Sequence, residues 1–158
     1  MRSLKGIMYP DGYPTPKATE RPRETVLNDV LALDLTAIRQ KVKLENYPYG
    51  HEADEYMLSQ DELKYRHFLF LAGTSDTIVI PTEEIDAFWH HHILDTAKYE
   101  QDCMRIFGFF IHHFPYLGLR GDADKAKLRE LYNQTETLYS LTFGEVYNPR
   151  DNDLSGCG

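Results

Sequence analysis

Apolar side chains recur along most of this chain at three- and four-residue steps, the spacing that aligns one face of an α-helix. Leu27, Leu31, Leu35, Ile38 and Val42 make the first such stripe, with Asp34 or Thr36 placed to cap a fresh start inside it. Tyr47-Pro48-Tyr49-Gly50 breaks the pattern. Ser59-Gln60-Asp61-Glu62 then has the spacing of a capping box and predicts a helix to about Ala72. Gly73 to Asp76 reads as a turn, and Thr77-Ile78-Val79-Ile80 before Pro81 as a short extended segment. Thr82 opens another helix, because its hydroxyl can accept from a free amide while Glu83 and Glu84 meet the positive end of the helix dipole. The helical signal continues through Phe88, Trp89, Tyr99 and Cys103 to Phe107, as one long helix or as two joined near Leu94-Asp95, with Gly108 as the stop. A last helix begins at Asp122, carries Leu128, Leu131, Thr135, Leu138 and Thr142 on one side, and ends at Gly144.

The two ends differ from this. Residues 1–23 contain Pro10, Pro14, Pro16 and Pro22 with Gly6 and Gly12, a density of helix-breaking residues that predicts an extended arm. Residues 147–158 are rich in Asn, Asp, Gly and Pro and predict a flexible tail carrying Cys157. Residues 24–146 lie between them as one helical domain. The expected fold class is all-α: a compact orthogonal bundle of about five helices with an arm and a tail. A chain of 158 residues can form one core, and its 42% apolar and 13% aromatic content supplies the material.

Charge and cysteine usage narrow the partners. The formal charge is -8 and no run of Lys or Arg suggests a phosphate-tracking face, so nucleic acid is not an expected partner. Met1 to Met8 lacks the apolar stretch of a secretory signal, and no segment approaches the roughly 20 apolar residues of a membrane span. No membrane partner and a cytoplasmic location are therefore expected. Cys103 inside a helix and Cys157 near the end do not make a disulfide framework, so reduced thiols are expected.

Candidate chemistry is concentrated in one region. Five of the seven histidines fall in His90-His91-His92 and His112-His113, with Asp95, Tyr99 and Asp102 between them. On a continuous helix from 83 to 107, His92, Asp95, Tyr99 and Asp102 would share a face with Ile85, Phe88 and Ile106. Asp86 and His90, and likewise His91 and Asp95, are four apart and could pair. Adjacent helix residues point about 100° apart, so three consecutive histidines cannot serve one centre. Imidazole and carboxylate are ordinary ligands of zinc or iron. His92, Asp102 and His113 are the first candidate ligands, with Asp86, His90 and Asp95 as alternates. Tyr99 is the catalytic candidate beside a metal-bound water. The spacing matches neither the H-E-x-x-H of a metalloprotease nor the Glu-x-x-His of a di-iron bundle.

The opposing reading is that the same residues form a satisfied hydrogen-bond network that orients helices. His91 reads as a solvated position, and His51 and His67 as surface or packing residues. Trp89 with Phe107, Phe109, Phe110 and Phe114 either lines a ligand pocket or fills the core, the commoner role for aromatics at helical spacing.

The stretch from Pro81 to Cys103 contains D-x-x-W-H-x-H followed by L-D-T-x-x-Y-x-x-D-C, and a phenylalanine-glycine pair and His112-His113-Phe114-Pro115-Tyr116 come after it. This pattern resembles the glycine-rich domain-containing protein-like family from about Leu33 to Gly144. The resemblance implies a helical domain with Asp86, Trp89, His90, His92, Tyr99 and Asp102 at the motif positions, and supplies no reaction. Members can carry a glycine-rich tail, at which only Ser155 to Gly158 hints here. Three functions remain open. The first is a metal-binding helical domain, enzymatic or not, whose partner is an unknown small molecule or protein. The second is a non-catalytic protein-interaction module with a structural His/Asp/Tyr network. The third is a folded carrier modified at Cys157.

Overall fold

The computed structural model describes residues 13–46, 48–51 and 53–149. They form six helices: α1 (Arg23–Leu31), α2 (Thr36–Glu45), α3 (Glu55–Thr74), α4 (Glu83–Leu94), α5 (Thr96–Phe107) and α6 (Asp122–Phe143), with no strand among the described residues. The count is six rather than about five because two long helical signals are each broken by an aspartate. Asp34 accepts from the Thr36 amide at 3.1 Å, and Asp95 accepts from the Lys98 amide at 3.4 Å. Each carboxylate takes up an amide that a helix start leaves without an intrahelical partner. The Thr36 bonds also hold Asp34 below the ordinary carboxylate range.

The start of α3 corrects the expected capping box. The helix begins at Glu55, where Asp54 Oδ1 accepts from the Met57 amide at 2.8 Å. Ser59 and Glu62 lie inside the helix and face Arg39, whose guanidinium donates to Ser59 Oγ at 3.1 Å and approaches Glu62 at 3.9 Å. At its other end α3 runs through Gly73 instead of turning there. A Cβ at Gly73 would collide with the Phe107 ring, so glycine permits the close approach of α3 and α5.

Helices α3 and α4 form the centre, with α1 on α3 and α5, and α2 on α4 and α3. Val26, Ile38, Leu58, Phe68, Ile85, Phe88 and Ile106 meet in the core. Each such large side chain, fully buried, contributes roughly 1.5–3 kcal/mol relative to exposure. Helix α6 lies against this centre through aromatic rings: Phe143 stacks on His67 at 3.8 Å between centroids, and Tyr139 accepts or donates a 2.8 Å hydrogen bond with His67 Nδ1. Packing extends to Tyr147, which is buried and donates to the Ile80 carbonyl at 2.7 Å. The carrier expectation at Cys157 lies outside the described residues, as do residues 1–12.

The arm, described from Tyr13, reaches α1 without helix. The Thr19 amide donates to the Gly73 carbonyl at 2.8 Å and the Thr19 hydroxyl to the Phe107 carbonyl at 2.7 Å. Arg21 donates to the Arg105 and Ile106 carbonyls at 2.7 and 2.6 Å. These acceptors sit at helix C-termini, where carbonyls lack intrahelical partners. The arm therefore crosses the ends of α3 and α5, with Tyr13 to Lys17 beside the loop that follows α5. No described helix is long and apolar enough to cross a membrane.

Candidate functional site

His92, on the last turn of α4, bridges α3 and α5. Its Nδ1 lies 2.7 Å from the Tyr65 hydroxyl and its Nε2 lies 2.8 Å from Asp102 Oδ2. A carboxylate only accepts, so Nε2 carries the hydrogen and Nδ1 accepts from Tyr65. Burial pushes the His92 imidazole below its ordinary pKa against the opposing pull of Asp102, and burial lifts the Tyr65 phenol well above its own. A neutral ring between a phenol and a carboxylate satisfies both requirements. At the surface end, Asp102 meets Lys98 Nζ at 3.1 Å and Arg105 at 3.5 Å.

Tyr99 closes a second chain of bonds. Its hydroxyl accepts from Trp89 Nε1 of α4 at 3.0 Å and donates to the Ile111 carbonyl at 2.6 Å, which fastens the following loop to α5 and, through Trp89, to α4. Burial raises the Tyr99 phenol far above its usual range and also raises the neighbouring Cys103 thiol. Among the described residues every buried side-chain nitrogen and oxygen has a partner.

The third arrangement is open. His113 stacks on Trp89 with ring centroids 4.2 Å apart, and its Nε2 meets Asp86 Oδ1 at 2.8 Å. Both side chains are partly exposed, on the wall of a cavity of about 640 Å³. The arm from Tyr13 to Lys17 forms one side, and Phe68 and Ala72 of α3, the segment from Thr77 to Glu83, Trp89 and the loop from Phe109 to Pro115 form the rest. That volume falls within the range of about 300–1,000 Å³ typical of ligand pockets.

This geometry overturns the expected metal centre. His92 and His113 belong to separate pairs joined only in series, His113 stacking on Trp89, Trp89 bonding Tyr99, and the Tyr99 ring meeting His92 edge-on at 4.9 Å. Both ring nitrogens of His92 are already committed, to Tyr65 and Asp102, so neither has a lone pair to offer zinc or iron. Asp86 pairs with His113 and not with His90, which is exposed, and Asp95 is exposed and caps α5. Among the described residues no three His, Cys, Asp or Glu side chains converge to hold a metal ion. Tyr99, the catalytic candidate, spends its hydroxyl proton on a backbone carbonyl.

Other positions divide. His91 is buried, not solvated, because its Nε2 reaches Glu45 Oε2 at 3.0 Å. His67, isolated in the sequence and expected at the surface or in packing, packs against Phe143. Phe107 and Trp89 belong to the core, and Trp89 also borders the cavity that Phe109, Phe110 and Phe114 line. Tyr13, Lys17, Ile78 and Ile80 also line it and were not read as site residues. The Pro-x-Pro of the arm and the β-branched run before Pro81 were the available signals.

A family model described as UCP032817-like matches residues 33–140. Glycine-rich domain-containing protein 2 of Arabidopsis thaliana is 26% identical over 123 residues, which is 73% of this chain and 15% of that protein. Glycine-rich domain-containing protein 1 of the same plant is 24% identical over 106 residues, 62% of this chain and 12% of that protein. The chain thus spans only a small part of the length of these relatives. No solved structure matches it. The family match includes both His–Asp pairs and the loop from Phe109 to Pro115, while the arm precedes it.

Proposed function

The chain belongs to the UCP032817-like family, and we propose that it is a non-catalytic binding module whose site is the aromatic cavity beneath the arm. One observation carries this reading: the interior polar groups are matched to one another, whereas the partly exposed His113–Asp86 pair opens onto a ligand-sized cavity that Trp89 borders. A concave, largely apolar space with a few convergent polar groups suits a small molecule or a protein segment with an apolar body. The closed His92 and Tyr99 networks hold the wall in place, as satisfied polar networks do in rigid interiors.

Trp89 is the only tryptophan and borders this cavity, so a change in its fluorescence on titration reports binding beside it. Titration with a neutral solvatochromic naphthalene dye is expected to quench Trp89 saturably through energy transfer to the dye. Ala72→Leu, which adds bulk to the wall, is expected to weaken dye binding roughly tenfold. Absence of a saturable Trp89 signal, or equal affinity in the variant, would overturn the proposal.

A further inference from the structure

The arm supplies a chemical description of what the cavity wall accepts. Pro14 and Pro16 restrict their own φ, and each pushes the preceding residue, Tyr13 and Thr15, toward extended conformations. Four consecutive residues are thereby held extended before they touch anything, so docking them costs little conformational entropy. The Tyr13 ring meets Phe114 edge-on at 5.0 Å between centroids, its hydroxyl donates to the His113 carbonyl at 3.2 Å, and Lys17 Nζ lies 4.6 Å from the centre of the Phe109 ring. An extended proline segment against aromatic rings is the way many domains read polyproline-type ligands.

The arm is held unevenly. At Thr19 and Arg21 the bonds are 2.6–2.8 Å long, while the Tyr13 bond is long for a hydroxyl donor. Between these points the arm borders the cavity without filling it. Asp86 uses one oxygen on His113, and its other oxygen has no partner among the described residues. That oxygen favours an occupant carrying a base.

We infer that the cavity face formed by Phe109, His113 and Phe114 recognises an extended, proline-containing protein segment bearing an aromatic residue and a base, and that Tyr13 to Lys17 is its occupant within the same chain. The inference rests on the reading of the cavity as a binding site. A tethered occupant competes at an effective concentration of millimolar order. A segment from another protein therefore binds weakly while the arm is seated and more tightly once the arm is loosened.

The test is fluorescence anisotropy with a labelled peptide of the sequence Gly12 to Ala18, titrated with the full chain and with its Tyr13→Ala/Lys17→Ala variant. The double variant is expected to bind the peptide at least about tenfold more tightly than the native chain. A peptide in which alanine replaces both prolines is expected to bind several-fold more weakly, because its unbound state is freer. Equal affinity of the two chains, or of the two peptides, would overturn the inference. So would the absence of peptide binding by a chain whose Trp89 still senses the dye. Loss of both signals would instead remove the cavity reading itself.

Discussion

His92 and Asp102 meet at 2.8 Å in the interior, where their side chains are 1% and 11% exposed. His113 and Asp86 meet at the same 2.8 Å on the cavity wall, where theirs are 25% and 45% exposed. Identical chemistry at identical length has two consequences because the surroundings differ. In the interior His92 has lost water entirely and Asp102 most of it, so breaking the pair leaves buried polar atoms to bear a desolvation cost. On the wall, water or a ligand can replace either partner, and the pair contributes little to folding. The interior pair thus ties three helices together, and the wall pair is available for recognition.

The sharpest test of this contrast is the removal of one imidazole at a time. His92→Ala leaves the Tyr65 hydroxyl unmatched, takes from Asp102 Oδ2 its buried partner so that only Lys98 remains on it, and opens a void between α3, α4 and α5. It is expected to cost about 3–4 kcal/mol in urea unfolding. His113→Ala is expected to cost about 1 kcal/mol, from a partly solvated pair and the stack on Trp89. Equal losses would break the distinction between an architectural pair and a recognition pair.

The signals legible in the chain were local ones. Asp34, Asp95, Gly108 and Gly144 mark helix boundaries because a cap depends on neighbours within a few residues, and each sits at a boundary in the fold. Ser59 misled because Asp54 offers an earlier cap and because Arg39, from another helix, engages the Ser59 hydroxyl. Four-residue spacing on one helix predicts the pairs Asp86–His90 and His91–Asp95, whereas Asp86 and His91 take His113 and Glu45 from other elements; His92 and Asp102, expected at one site, do meet, but as a hydrogen-bonded pair. Helical periodicity places Trp89 in the core with Phe107 but cannot show that Trp89 also borders a cavity, because that depends on the loop after α5. The prolines revealed an extended arm. Its docking was hidden because its anchors are the backbone carbonyls of Gly73, Arg105, Ile106 and Phe107, which no side-chain pattern encodes.

Tyr99→Phe joins the two regions, since this hydroxyl lies between the interior and the wall. Its loss leaves the Trp89 N–H and the Ile111 carbonyl without their partner, at an expected cost of about 2 kcal/mol. The loop from Phe109 to Pro115 loses its fastening, so dye binding at Trp89 is expected to weaken as well. Urea unfolding and the Trp89 titration on one preparation check both. A destabilised variant with unchanged dye affinity would separate the wall from the interior network.

The smallest effect is the dependence on pH, and it bears on the state of the interior pair. Burial holds both His92 and His67 below the ordinary histidine pKa. The unfolded chain, with histidines near 6.5, therefore takes up protons before the folded chain does. The stability linked to these groups is fully present above about pH 6.5 and declines as the pH falls toward their depressed folded values. The three carboxylates held below their usual range do not mask this decline. Glu55 is pushed down to about 2 by Lys43 and Arg39, and Asp34 and Asp124 also lie below their usual range, so their linked losses come at lower pH. Thermal midpoints measured from about pH 7.5 to 5.5 are expected to fall in the native chain and to fall less in His67→Phe, which keeps a ring against Phe143. His92 contributes to the slope that remains. A flat native profile would mean that His92 holds its proton in the folded state, which would make its contact with Asp102 an ion pair and the interior more polar than this packing implies.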